Sequence, residues 1–193
     1  MLCKMNFMYW SAAWLKFTDK IYPIFFELLI WQSISFVRHM LKAISLLISQ
    51  RQQFSKLTVQ VVKVKRVGGR DENDCFNNAF NQIDTEKSIK IASGWIVGKT
   101  DKITDSTFIL HHFWNVDAEG NHFDTTPLPE HFVYVLDPDL INYGQRHIKT
   151  LKSSVGCSLI LKKGVFYTFS STDHLENFIE ISSLHPKNLF QLK

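Results

Sequence analysis

One cysteine, two adjacent histidines and an aspartate occur in an order that can supply a thiol nucleophile, its base and a carboxylate to orient that base. Cys75 comes first, His111 and His112 follow, and Asp124 closes the set; 37 positions separate Cys75 from His112 and 12 separate His112 from Asp124. The chemistry demands these types. A thiolate attacks, an imidazole takes or holds the thiol proton, and a carboxylate fixes the imidazole tautomer and stabilises the imidazolium. The tetrahedral oxyanion formed at an attacked carbonyl needs N–H donors, for which the Cys75 amide and the side chain of Asn73 or Asn77 are the nearest candidates. Water as second nucleophile gives hydrolysis; an amine gives acyl transfer.

The elements that must position these groups can be read from periodicity. Residues 108–116 alternate, with Phe108, Leu110, His112, Trp114 and Val116 on one face and Ile109, His111, Phe113 and Asn115 on the other. Both faces are mostly apolar, so the strand is expected in the interior. Asp117 to Gly120 has turn composition, and Asn121 to Thr126 returns as an antiparallel partner. If Val116 pairs with Asn121, Asp124 shares a face with His111; a one-residue bulge at the turn puts it on the face of His112. The alternation leaves both pairings open.

Leu57 to Val67 reads as a strand ending at Gly68-Gly69, and the loop GGRDEND then delivers Cys75 to the first turn of a helix. Asp74 or Asn73 can cap that helix, with Phe76, Ala79, Phe80 and Ile83 along one side. Free amides and the helix dipole favour a thiolate there. Ser88 to Lys99 is a further strand, with Trp95 as core beside the Phe108 strand and with Gly94 and Gly98 marking a bulge or close backbone approach. Downstream come a short strand, HFVYVL, a loop from Asp137 to Gly144 with Tyr143 at a rim, and a polar stretch through Lys152. A hairpin spans Gly156 to Ser171 around Lys162-Lys163-Gly164 and contains a buried, inert Cys157. A final helix is expected over Ser171 to Ser183, with Asp173 as its cap.

Composition bounds the rest. With 193 residues, 45% of them hydrophobic, the chain can bury one substantial core, preceded by an apolar appendage. We divide it into an N-terminal helical segment, 1–52, and an α+β domain, 53–193. The formal charge of +4 is mild, and apart from Lys63, Lys65, Arg66 and Arg70, read as a solvated strand end, the basic residues are scattered, so no nucleic-acid partner is expected. Three cysteines, Cys3, Cys75 and Cys157, make no disulfide framework and fit a reducing, cytoplasmic compartment. The run Ile21 to Val37 includes Pro23, Glu27, Gln32 and two serines, short of the ~20 apolar residues of a membrane span. The segment is therefore read as one or two helices, packed on the domain or in peripheral contact with a membrane through residues 1–50. Met40 opens an ordinary amphipathic start, which makes residues 1–39 readable as an upstream extension. No cofactor is implied, and a zinc site built from Cys75, His111 and His122 is an alternative use of the same residues.

The order of these pieces resembles the transglutaminase-like branch of the papain-like cysteine enzymes. The matching pieces are Cys75 in DCFNNA, the strand SGWIVG, His112-Phe113-Trp114, and Asp124-Thr125-Thr126-Pro127. They cover Gly68 to Pro129, and two depart from the family pattern: Phe113 stands where a small residue is usual, and two threonines precede the proline. The resemblance implies a papain-like core in which a Cys-bearing helix packs on an antiparallel sheet, with Cys75 as nucleophile, His112 as base and Asp124 as orienting carboxylate. Trp114 and Asn77 are then expected to bind substrate, a peptide or small acyl compound. A catalytically inactive binding module of the same fold is the second expectation.

Overall fold

The computed structural model describes residues 37–72, 74–84, 90–98, 106–128, 132–151, 157–169 and 178–190. The helices expected upstream of residue 37, and Asn73, lie outside them. The chain divides into two compact units, Met1–His39 and Met40–Lys193. The description below concerns the second, to which residues 40–52, a helix we number α1, belong.

The second unit is α+β. Nine strands among the described residues form one sheet: β1 (Gln60–Val62), β2 (Val64–Arg66), β3 (Lys90–Gly98), β4 (Ser106–Val116), β5 (His122–Asp124), β6 (Val133–Leu136), β7 (Ser158–Lys162), β8 (Val165–Phe169) and β9 (Phe178–Glu180). Their order is β1-β6-β3-β4-β7-β8-β9, with β5 on the far end of β4 and β2 beside β5. Pairing is antiparallel except between β2 and β5. The remaining helices are α2 (Cys75–Asp84), α3 (Ile141–Leu151) and the short α4 (Pro186–Leu189). Among the described residues no helix is long and apolar enough to cross a membrane.

The alternation of β3 and β4 sorts the core into two faces. Trp95, Val97 and Ile109 pack with Ala43, Ile44 and Leu47 of α1, and Phe113 packs with Phe76 and Ala79 of α2 and Ile148 of α3. Ala92, Ile96, Trp114 and Tyr134 fill the other face. Helices on one face of an antiparallel sheet are the expected α+β arrangement.

Three sequence-based expectations are corrected. Residues 57–67 form two short strands, β1 and β2, because the chain leaves β6 at Val62 and joins β5 from Val64. The stretch read as a loop and polar run, 137–152, contains a 3₁₀ turn (Pro138–Leu140) and α3. Gly144 obscured that helix, yet it is where α3 crosses β4: a Cβ there would run into the rings of His111 and Phe113. The described end of the expected final helix, Phe178 to Glu180, is instead β9, which supplies backbone partners to the otherwise open edge of β8.

A buried ion pair ties α1 to the sheet. Arg51 Nε donates to Asp137 Oδ2 at 2.6 Å, Arg51 Nη1 donates to the Leu184 carbonyl at 2.6 Å, and Trp95 Nε1 donates to Asp137 Oδ2 at 3.1 Å. Arg51 and Asp137 are both fully buried. Replacing Arg51 by methionine strands the Asp137 carboxylate in the core and is expected to cost about 3–5 kcal/mol of folding stability, read as a lower denaturant midpoint. A loss near the ~0–1 kcal/mol of a surface pair would contradict this burial.

Candidate active site

Cys75 opens α2. Asp74 is its cap residue: its carbonyl accepts the first helical bond, from the Asn78 N–H at 2.9 Å, and its carboxylate accepts from the Asn77 side chain at 3.0 Å. The amides of Cys75, Phe76 and Asn77 therefore precede the first intrahelical bond, as at any helix start. The helix is fastened to the sheet by Asn115, whose Nδ2 donates to the Ala79 carbonyl at 2.7 Å, and by the edge-on packing of Phe76 against Phe113. Asn78, one turn after Cys75, donates to the Asp71 carbonyl and to Thr126 Oγ1, tying the cysteine helix to the segment that carries Asp124.

The hairpin register decides which histidine meets Asp124. The Asp117 N–H donates to the Asn121 carbonyl, Asp117 Oδ1 accepts from the Asn121 N–H, and Gly120 takes a φ of 86°. The loop is thus three residues long and ends in a left-handed glycine, a geometry typical of such hairpins. Val116 consequently pairs with His122 and Asn115 with Phe123, which puts Asp124 on the face of His112. His112 Nε2 and Asp124 Oδ2 lie 2.7 Å apart, each residue about 1% exposed. The Thr126 N–H donates to Asp124 Oδ1 at 2.8 Å and the Tyr134 hydroxyl donates to Oδ2 at 2.8 Å, so the carboxylate receives three donors.

With Nε2 held by Asp124, Nδ1 is the remaining ring nitrogen, and Cys75 is the neighbour that does most to favour the protonated ring. Nδ1 itself makes no hydrogen bond in this structure. Catalytic hydrogen bonds often tighten only when substrate binds. Among the described residues, β4 has no strand partner at 112–114 on the side where β7 stops at Leu110 and β5 starts at Asn115. At this break α2 packs against Phe113, the residue that follows His112.

The two adjacent histidines are driven apart electrostatically. Burial alone would push His112 down, but Cys75 and the Asp124 hydrogen bond outweigh it and push His112 up to about 10. Burial also works against an ionised Asp124; the bonds from His112, Thr126 and Tyr134 overcome it and hold the carboxyl below its usual range. His111 sits on the other face, with Nε2 2.8 Å from Ser93 Oγ. Burial, then the charges of His112, His147 and Arg51, push it down to about 3. It is a neutral core residue.

Trp114 is fully buried, with Nε1 donating to His122 Nδ1 at 2.8 Å, and it walls the site from beneath. Asn77 is exposed, its amide engaged with Asp74. His122 and His111 face opposite sides of the sheet, and among the described residues no three His, Cys, Asp or Glu groups are placed to hold a metal. Cys157 is buried and pushed up to about 12 by burial. Tyr134 is not singled out by the sequence, in which HFVYVL reads only as a short strand.

His112 binds its proton more tightly folded than unfolded. Its contribution to stability is therefore complete below about 6.5 and disappears as pH rises through about 10. The stability difference between the parent and His112→Gln should shrink across that window in denaturant titrations. A difference that stays flat would contradict the ion pair. No family model, curated protein or solved structure matches this chain.

Proposed function

We propose that this chain is a cysteine-dependent hydrolase or acyltransferase acting on an amide or related acyl group, with Cys75 as nucleophile, His112 as acid–base partner and Asp124 as orienting carboxylate. The observation that carries the proposal is the arrangement of the three groups: a cysteine in the first turn of a helix, interacting with a buried histidine whose other nitrogen is held at 2.7 Å by a buried aspartate. The same arrangement supports a papain-like, transglutaminase-like core, since the cysteine helix packs against an antiparallel sheet that bears the other two residues.

In this mechanism the thiolate sulfur attacks the acyl carbon and the tetrahedral oxyanion is met by the amides of the first turn of α2, which precede the first intrahelical bond, since the Asn77 side chain is occupied by Asp74. The protonated His112 gives its proton to the leaving amine, leaving a thioester. His112 then takes a proton from water or an acceptor amine as its oxygen or nitrogen attacks the thioester carbon, and the C–S bond breaks, releasing the acyl group and the Cys75 sulfur. Asp124 keeps Nε2 as the hydrogen-bonded nitrogen throughout, so that Nδ1 handles the transferred proton.

One observation favours a second reading, a non-catalytic module that holds a peptide or small ligand: Cys75 is only 6% exposed. Alkylation of the full chain by iodoacetamide at pH 6 separates the two. Under the enzyme reading His112→Ala slows Cys75 alkylation about tenfold or more, a lower bound on the ~10²–10⁴ supplied by a positioned acid–base partner, while a folded His111→Gln stays near the parent rate. Equal rates in all three proteins would overturn the enzyme reading in favour of the module.

A further inference from the structure

The mechanism above makes no use of Tyr134. This residue lies on β6, paired with Ile96 of β3 and Val62 of β1, and is 3% exposed. Its ring meets Trp114 edge-on at 5.5 Å and His112 at 6.0 Å between centroids. Its hydroxyl donates at 2.8 Å to Asp124 Oδ2, the same oxygen that lies 2.7 Å from His112 Nε2, while Oδ1 takes the Thr126 N–H. Arg66, whose Cα is paired with that of Asp124 along β2 and β5, brings its guanidinium carbon to 5.8 Å from the Tyr134 ring centroid. Arg66 Nη2 also donates to the Phe132 carbonyl at 2.9 Å.

Resting on the catalytic reading above, we infer that Tyr134 is a positioning residue of the site: its hydroxyl, shared on one oxygen with His112, keeps the Asp124 carboxylate turned toward the imidazole and ionised. A carboxylate held by one donor can rotate or accept a proton; with donors on both oxygens and two on the one facing His112, it does neither. Burial and the Asp124 charge hold the Tyr134 phenol above its ordinary range, so it stays a donor across the working range of pH. The groups facing Asp124 are His112 from β4, Tyr134 from β6 and Arg66 from β2, with Cys75 of α2 beyond the imidazole and His122 two residues earlier on β5. Removing one donor therefore raises the pH at which Asp124 takes a proton, and the imidazolium loses its counter-charge earlier on acidification.

The test is the pH profile of Cys75 alkylation by iodoacetamide in the full chain, for the parent, Tyr134→Phe and His112→Ala, and again with Asp124→Asn in each background. Tyr134→Phe keeps the ring and is expected to move the acid limb up by about half a pH unit or more, because a lost hydrogen bond to an ionised carboxyl raises its pKa. The substitution should have no further effect once Asp124→Asn is present. A uniform drop in rate with an unmoved limb, or the same shift in both backgrounds, would overturn the inference. 3-Fluorotyrosine incorporated at position 134 keeps ring and hydroxyl but makes a stronger donor, and should move the limb down; a limb moved up contradicts the role. A parent rate unaffected by His112→Ala would instead overturn the catalytic reading on which the inference rests.

Discussion

Everything around the site depends on keeping an aspartate and a histidine charged where almost no water reaches. Taking an ion out of water costs several kcal/mol even after relaxation, and attraction between the two offsets that only if the remaining lone pairs and protons are also satisfied. Asp124 meets this condition with three donors drawn from three places: β4, β6 and the turn that follows β5. His112 meets it on one side only: the carboxylate holds Nε2, while Nδ1 has no hydrogen-bond partner and is the nitrogen left to exchange a proton. Gly94, paired directly with His112, lets the layers close over the pair, since a Cβ there would meet the Trp114 ring and the backbone of Val135 and Asp137.

The opposite face of the sheet repeats the solution with different groups. Asp137 is fully buried, bonded by Arg51 and Trp95, and its N–H donates to the Ser93 carbonyl at 3.0 Å. Ser93 in turn reaches His111. Two histidines adjacent in sequence thus occupy contrasting environments. His112 faces a thiol and a carboxylate and is driven toward the imidazolium; His111 faces apolar rings and positive charges and is driven toward the neutral form. Strand alternation produces the contrast, and it separates the acid–base group from a structural one without any difference in residue type.

Local patterns carried much of the site. The loop and helical spacing around Cys75 and the alternation of β4 were readable because each signal lies within a dozen residues. The choice between His111 and His112 was not readable from alternation alone, because it turns on one hydrogen bond between Asp117 and Asn121 and on the left-handed Gly120. Tyr134 and Asn78 were missed because their partners, Asp124 and Thr126, are supplied by tertiary pairing rather than by spacing. Helix α3 was hidden by Gly144, whose missing side chain is a packing requirement of His111 and Phe113. Residues 178–180 had a helical apolar spacing that lost to the unpaired edge of β8.

The most direct measurement is the ring ¹⁵N spectrum of His112 in the full chain at pH 8, for the parent and for Cys75→Ser. The account requires a protonated ring in the parent, favoured by Cys75 and by the Asp124 hydrogen bond, and a weaker hold on that proton when the sulfur is removed. A neutral His112 at pH 8 in both proteins would mean that the three groups do not form a charged relay, and the catalytic reading would fall with it.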